Sequence, residues 1–281
     1  MSTSAPPPVL ELSGASLVRG DAQVLHRISL SVRAGEHTAI LGPNGSGKSS
    51  LIRLLTLQDH PLASAAHPDP VRWFGRARIE LGELMRRVGV ISGEVDAGFA
   101  QASARGRVTA LDAVVSGFHG SQGRFAHQIV TDAQVGQALA ALTRVGLGTA
   151  TARGLSTLSA GERRRVLIAR MLAINPAVVL LDEPTAGLDL VARHEFLQAV
   201  RQLCRSGTTA ILVTHDVDEI VPEIGRVVLL HAGHVVADGP RATVLTSEGL
   251  SQVFRREIAL THVSGHSRAH VVTPASVETE T

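Results

Sequence analysis

Residues Gly42-Pro43-Asn44-Gly45-Ser46-Gly47-Lys48-Ser49-Ser50 decide the reading of this chain. They fit the pattern G-x-x-x-x-G-K-S/T of a phosphate-binding loop. The run His37-Thr38-Ala39-Ile40-Leu41 enters it as a strand, and Ser50-Leu51-Ile52-Arg53-Leu54-Leu55 leaves it as a helix. That strand–loop–helix context is what gives the motif its meaning. Glycines let the backbone fold closely around phosphate, and successive N–H groups point inward as an anion nest. The following helix adds the positive end of its dipole. Lys48 reaches the outer phosphates of a nucleotide such as ATP, and the Ser49 hydroxyl is a ligand for Mg²⁺.

The rest of the chain is consistent with a globular nucleotide-binding protein. With 281 residues it can bury one substantial core, or a core plus a subdomain. Hydrophobic residues make up 44% and charged residues 19%, the balance of a globular, water-soluble protein. The net charge of +2 gives no case for nucleic acid as a direct partner. Aromatics are 2% with no Tyr, which argues against a base-stacking platform for single strands. Cys204 is the single cysteine, so no intrachain disulfide forms and a reducing cytoplasm fits. Met1 to Pro8 has neither the basic nor the apolar segment of a signal peptide and reads as a disordered tail. No run of about 18 apolar residues occurs, so any membrane role has to come through a partner.

Ala177–Leu181 and Thr208–Val213 are apolar without alternation, as in parallel strands covered on both faces. Arg163 to Ala173 has helical spacing, and Asn175-Pro176 stops it. The order of elements indicates an α/β fold. About Gly93 to Leu155 is rich in Ala, Gly and Gln, reads as a mostly helical insertion, and includes a helix over Ala133–Val145. Residues 258–263 and 266 onward read as a terminal hairpin, and Pro274 to Thr281 as a loose end. His262, His266 and His270 would align for a metal only on a helix, which the β-branched neighbours and Gly265 disfavour.

Leu180-Leu181-Asp182-Glu183-Pro184 ends a buried strand with two acids. Asp182 is placed to hold Mg²⁺ from the second shell, and Glu183 to polarise an attacking water as general base. Leu158-Ser159-Ala160-Gly161-Glu162 precedes a helix starting near Glu162, and its hydroxyl and free N–H groups could grip a phosphate or simply cap the helix. Ala186-Gly187-Leu188-Asp189 and Val213-Thr214-His215-Asp216 carry little meaning in isolation.

Together, in this order, these segments resemble the ABC-type ATPases, from about Leu10 to Phe254. The resemblance makes Gly42 to Ser50 the Walker A loop, Val178 to Glu183 Walker B, and Leu158 to Glu162 the signature, normally L-S-G-G-Q. It makes Ala186 to Asp189 the D-loop and His215 the switch histidine. It implies a P-loop NTPase core with a helix-flanked parallel sheet, a helical subdomain and a small antiparallel β portion. The expected boundaries are a tail at 1–8, the ATPase domain at 9–255 with a helical subdomain at about 93–155, and a C-terminal hairpin and tail at 256–281. It further implies a head-to-tail dimer sandwiching two ATP molecules. In it Ser159, Ala160, Gly161 and Glu162 of one copy contact the ATP held by Lys48 and Ser49 of the other. His215 contacts the γ-phosphate, with Glu183 as catalytic base, and Asp189 links the two sites.

Three departures stand out. The signature reads Ser-Ala-Gly-Glu, keeping Ser159 and Gly161. Where an adenine-stacking aromatic is usual there is Arg19, which is either a guanidinium platform for adenine or a surface residue. After Val88–Ser92, where a metal-binding Gln that reports to the membrane partner is usual, stand Gly93 and then Glu94. Water, Ser92 or Glu94 would fill that place, and a further carboxylate beside the γ-phosphate is repelled unless metal-bound. The segment Val71 to Ser92, with Trp73-Phe74-Gly75-Arg76, looks most like a molybdate-related group of ABC ATPases, some members of which have no obvious permease. The expected function is the ATP-hydrolysing subunit of an ABC transporter, cytoplasmic and held at the inner membrane face by a permease. The alternative is a soluble ABC ATPase with a regulatory, repair or assembly role. A nucleotide-binding module without catalysis is disfavoured, because Glu183 and His215 are both present.

Overall fold

The computed structural model describes residues 7–105, 108–121, 129–263 and 265–272. The expected N-terminal tail lies outside them up to residue 6, as do the end from Pro274 onward and Ser264 of the hairpin turn.

The chain runs β1 (Leu10–Arg19), β2 (Ala22–Val32), β3 (Thr38–Leu41), α1 (Lys48–Leu55), β4 (Val71–Trp73), α2 (Leu81–Arg87) and β5 (Val88–Ile91). It continues through α3 (Gly93–Arg105), α4 (Ala110–Val115), α5 (Asp132–Arg144), α6 (Ala160–Ile174), β6 (Val178–Asp182), α7 (Leu190–Arg205) and β7 (Thr209–Thr214). The last elements are β8 (Arg226–His231), β9 (His234–Pro240), α8 (Arg241–Val244), α9 (Ser247–Phe254), β10 (Ile258–Val263) and β11 (His266–Val271). The predicted helix over Ala133–Val145 is α5, and the helix expected near Glu162 begins slightly earlier, at Ala160.

Six strands form the central sheet in the order β5-β6-β7-β3-β8-β9, parallel except for β9. The apolar runs behave as their lack of alternation predicts, with both faces buried. Ala39, Leu41, Val179, Leu181, Ala210 and Leu212 face the helical side, with α4 to α7. Ile40, Val178, Leu180, Ile211 and Val213 face α1 and the antiparallel sheet β2-β1-β4. Each such fully buried Leu or Ile contributes about 1.5–3 kcal/mol. The helices of the 93–155 stretch join the first of these cores through Phe99, Ala113, Val114, Ala138 and Leu142.

Two local devices fix the elements beside the phosphate loop. The Trp73 indole N–H donates to the Leu55 carbonyl at 3.0 Å, tying the end of α1 to β4. Asn175 takes φ 43° at the end of α6, a left-handed stop just before Pro176. Cys204 is buried, and burial pushes its thiol up to about 12, away from nucleophilic use.

The terminal hairpin forms with Val263 opposite His266 and His262 opposite Ser267. His266 and His270 therefore share one face and His262 the other. Among the described residues no group of three or more His, Cys, Asp or Glu is arranged to hold a metal ion.

Because β6, β7 and β3 are parallel neighbours, their C-terminal ends collect at one edge of the sheet. Leu41 pairs with Thr214 and Asp182 with Val213. The residues that follow, Gly42, His215 and Glu183, are thereby brought together, where open α/β sheets bind their ligands.

Candidate active site

The phosphate loop is shaped by its fit to the β-hairpins around it. Gly47 has φ 103°, and a Cβ there would lie 2.9 Å from Leu25 Cδ2. Gly233, at the tip between β8 and β9, has φ 75°; its N–H donates to the Ser46 carbonyl at 2.9 Å, and a Cβ would meet the Val24 carbonyl at 2.5 Å. Gly233 accepts a side chain only by displacing backbone, and at Gly47 the left-handed φ and the close Leu25 methyl both disfavour one. The result is an open cavity of about 620 Å³ lined by Gln23, Val24, Asn44, Gly45, Gly47, Lys48, Ser49, Ser50, Glu183, Ala232 and Gly233.

Lys48 is 5% exposed, and its ammonium donates to the carbonyls of Gly42 (2.9 Å) and Pro43 (3.1 Å). It stands 3.6 Å from Glu183 Oε1. Burial lowers the Lys48 pKa, and the Glu183 carboxylate pulls it back up. The same Oε1 lies 3.0 Å from His215 Nδ1. An ionised carboxylate only accepts, so Nδ1 carries the proton in that contact. Glu183 has φ 43°, a left-handed backbone that a residue with a Cβ adopts at a cost, while its N–H still donates to the Val213 carbonyl at 2.9 Å. The turn thus swings Glu183 off the end of β6 toward Lys48 and His215. Asp182, one residue earlier, is pushed up to about 6, first by burial and then by the Glu183 charge, with Lys48 opposing. A carboxylate so disfavoured gains by taking a cation.

The signature segment lies apart, in a second cleft with Gly187, Leu188, Asp189, Val191 and Ala192. Ser159 caps α6 in a reciprocal box: its Oγ accepts from the Glu162 N–H at 3.1 Å, and Glu162 Oε2 accepts from the Ser159 N–H at 2.8 Å. Arg153 donates to the other Glu162 oxygen, also at 2.8 Å. Asp189 likewise caps α7, accepting from the Ala192 N–H at 2.8 Å. The structure therefore does not bring Ser159, Ala160, Gly161, Glu162 or Asp189 into the cavity around Lys48 within one chain.

Arg19 is not among the residues lining that cavity; its guanidinium is half-exposed and lies 3.8 Å from Asp59, which Arg53 of α1 also holds at 3.0 Å. At the departure after β5, Gly93 opens α3, and a Cβ there would meet nothing within 4 Å. Ser92 Oγ accepts from the Val95 N–H at 3.2 Å, and Glu94 points to Arg53 at 3.6 Å.

Sequence reasoning missed the residues that line the cavity from outside the motif: Gln23, Val24, Ala232 and Gly233. The turn His231-Ala232-Gly233-His234 between two strands was the available signal, but turn chemistry does not say what a turn will touch. It also missed Thr185 and Glu219, which brace the Glu183 loop: Glu219 Oε1 accepts from both the Thr185 N–H, at 3.2 Å, and the Thr185 hydroxyl.

Comparison with known proteins fits this geometry. The profile of the family described as ABC transporter matches residues 25–186. The hemin import ATP-binding protein HmuV of Rhodopseudomonas palustris (strain BisA53) is 34% identical over 261 residues, covering 89% of each chain. The lipoprotein-releasing system ATP-binding protein LolD of Anaeromyxobacter dehalogenans is 38% identical, covering 83% of this chain and 95% of its own. Among solved structures, the ADP conformation of MJ1267, an ATP-binding cassette of an ABC transporter, superposes with a TM-score of 0.72 at 22% identity. It covers 88% of this chain and 98% of that one. CbiO1 from Clostridium perfringens, part of the transporter complex CbiONQ, superposes with a TM-score of 0.69 at 24% identity, covering 88% and 94%.

Proposed function

This chain belongs to the ABC transporter family as its ATP-binding, ATP-hydrolysing component, and on that premise we propose how its residues divide the work. The observation that carries the proposal is Glu183 Oε1 standing between the Lys48 ammonium and the His215 ring at the mouth of the phosphate loop.

ATP lays its phosphates over the N–H groups of Gly45 to Ser50 and the start of α1. Lys48 exchanges Glu183 for phosphate oxygens, which compete for the same charge. Glu183, released, accepts a proton from the attacking water. The water oxygen bonds to the γ-phosphorus, the bond from that phosphorus to the bridging oxygen breaks, and ADP leaves with the electron pair. His215 hydrogen-bonds the γ-phosphate. Ser49 and Asp182 fit Mg²⁺: a hydroxyl and a carboxylate beside the phosphates match a cation that prefers one or two protein oxygens plus substrate oxygens and water. The bound ion neutralises charge on the phosphates. Arg19 is taken as a member of the surface ion pair with Asp59, so that adenine is held mainly by groups other than its guanidinium.

The signature cleft completes the site in trans. Ser159, Ala160, Gly161 and Glu162 of a second copy face the ATP bound to the first, and Asp189 joins the two sites. Hydrolysis in this dimer drives a membrane permease, which holds the chain at the inner face of the membrane. No helix among the described residues is long and apolar enough to cross a membrane. That reading draws support from the relatives named for import and lipoprotein release and from the neighbour found within a transporter complex. The permease would be received near Gly93 to Phe125, of which residues 106–107 and 122–125 lie outside the described residues. Affinity purification of the tagged chain from solubilised membranes tests the partner. Recovery of a stoichiometric integral membrane protein supports the transport role; an ATPase found wholly in the soluble fraction without one refutes it. Titrating Mg²⁺ against phosphate release in the wild type and in Asp182→Asn tests the metal site, with an unchanged half-saturation counting against Asp182.

A further inference from the structure

We infer that Arg193 is a positioning residue for ATP hydrolysis: from the first turn of α7 it holds Asp216, and through Asp216 the turn that carries His215. Arg193 Nη2 donates to Asp216 Oδ2 at 2.6 Å, and the two side chains are 27% and 34% exposed. Asp216 directly follows His215, and each of its polar groups is engaged. Oδ1 accepts from the Asp218 N–H at 2.9 Å, the Asp216 N–H donates to the Thr214 hydroxyl at 2.9 Å, and the Asp216 carbonyl accepts from the Glu219 N–H at 3.2 Å. Those three bonds stay within residues 214–219. Among the described residues, the bond to Arg193 is the one that ties Asp216 to another element. It is charged at both ends, which makes it stronger than a neutral hydrogen bond.

His215 depends on that tie. Its ring is 47% exposed and, among the described residues, bonds only to Glu183 Oε1 at 3.0 Å. Its place is therefore set by the backbone on either side. Before it, Thr214 is fully buried at the end of β7 and paired with Leu41. After it, the chain leaves the sheet in the short 3-10 turn Val217–Glu219. The far end of that turn is held by Glu219 through Thr185, and Arg268 stands 3.8 Å from Asp218. The near end, beside His215, is held by Arg193.

The other end of the tie is the cap of α7. Asp189 accepts the Ala192 N–H on Oδ1 at 2.8 Å and the Arg193 N–H on its carbonyl at 2.9 Å. One closed helical turn therefore separates Asp189 from the side chain that holds Asp216. A shift of the Asp189 loop, which in the proposed dimer joins the two sites, reaches His215 of the same chain through Arg193. A second ion pair from the same helix supplies the contrast. Arg201, about two turns further along α7, holds Glu223 at 2.9 Å, beyond the 3-10 turn and away from His215. That pair is the more buried, at 21% and 14% exposed, so it is the better stabiliser of the fold, whereas Arg193 is the better placed for the reaction. The inference rests on the reading of His215 as the group that meets the γ-phosphate.

The test uses the purified full-length chain. For Arg193→Met, Arg193→Lys, Asp216→Asn, the double variant Arg193→Met/Asp216→Asn and Arg201→Met, kcat, KM, affinity for a fluorescent ATP analogue and thermal midpoint are measured. Met keeps the helix propensity and the length of Arg without its charge. Asn keeps an acceptor for the Asp218 N–H without the carboxylate charge. Loss of the tie misplaces His215, so R193M and D216N each lower kcat by about tenfold or more while nucleotide affinity stays within about twofold. The double variant is no slower than the slower single variant, because both act through one contact. R193K keeps the charge but not the fork, and recovers part of the rate lost in R193M. R201M lowers the thermal midpoint and keeps kcat. A kcat for R193M within about threefold of wild type, losses that multiply in the double variant, or an R201M as slow as R193M overturns the inference. Should R193M not fold, D216N decides: an unchanged kcat refutes the inference, and a fall with affinity kept supports it. His215→Ala separates the two levels. A wild-type rate in H215A overturns the reading of His215 and this inference with it, whereas a slow H215A beside an unchanged R193M overturns this inference alone.

Discussion

In Gly42–Ser50 the loop's own bonds, such as those from Lys48 to the Gly42 and Pro43 carbonyls, are joined by contacts from residues distant in sequence: Glu183 beside Lys48, and Gly233 on the Ser46 carbonyl. In Leu158–Glu162 the polar groups are held by each other, Ser159 and Glu162 exchanging hydrogen bonds within one turn. The first loop has its shape only inside the folded sheet. The second carries its own shape wherever α6 begins. What it leaves over is the Ser159 hydroxyl proton, since the Oγ is used in the cap as an acceptor, and the first N–H groups of a helix, which have no partner within it. A loop that is locally complete yet offers donors to solvent is suited to a phosphate supplied from elsewhere. The same contrast holds for the acids: Asp189 is a simple cap, whereas Glu183 is held in a strained turn by contacts from other elements.

The contrast is broken most directly at Lys48. Lys48→Ala removes the one ammonium in the phosphate cavity and should lower ATP hydrolysis by about a hundred- to a thousandfold or more. Near-normal phosphate release by the purified variant would remove the phosphate-loop assignment. Glu183→Gln is expected to slow turnover by about a hundredfold or more while leaving ATP binding intact. With ATP and Mg²⁺ it should then accumulate as a dimer measurable by light scattering, and a variant that stays monomeric would count against a site completed in trans.

At the second loop, capping and phosphate contact can be separated. Asp caps a helix about as well as Ser, so Ser159→Asp should leave the thermal midpoint nearly unchanged, whereas Ser159→Ala costs about 1 kcal/mol. If Ser159 meets a partner's phosphate, S159D loses about tenfold or more in rate by charge repulsion and S159A loses less. Full activity in S159D would reduce Ser159 to a cap.

A smaller effect is expected at Asp182, whose folded pKa of about 6 lies above its ordinary value of 3.8. Protonation of this group favours the fold, so its contribution is complete below the ordinary value and is lost as pH rises through about 6. Without nucleotide or metal, Asp182→Asn should therefore be more stable than wild type at neutral pH, by on the order of 2 kcal/mol. The gain should shrink toward zero near pH 4, and a gain independent of pH would refute the shift. The smallest change is predicted for Arg19→Ala. An exposed ion pair with Asp59 contributes little, so the ATP KM should move by less than about threefold. A tenfold rise would restore Arg19 as the adenine platform.

Much of this protein was legible in its sequence because the signals are local. The glycine spacing with Lys48-Ser49, the unalternating apolar runs of β6 and β7, the Ser159–Glu162 box and the hairpin around Gly265 each depend on residues a few positions apart. Backbone freedom, strand burial and helix capping act at that range. The sequence also ordered the motifs, and order alone carried the resemblance to ABC-type ATPases. It could not place Arg19 against Asp59, bring the Ala232-Gly233 tip onto Ser46, or set Glu183 between Lys48 and His215. Nor could it show that Glu219 would accept from the Thr185 N–H and hydroxyl beside the Glu183 turn. Those relations join residues far apart in the chain, and the one at the centre of the site, Glu183 with Lys48 and His215, exists because parallel pairing aligns the ends of β3, β6 and β7 at one edge. Periodicity determines which segments become strands and helices, but the sheet order decides which loop ends meet, and the chemistry of this site depends on that meeting.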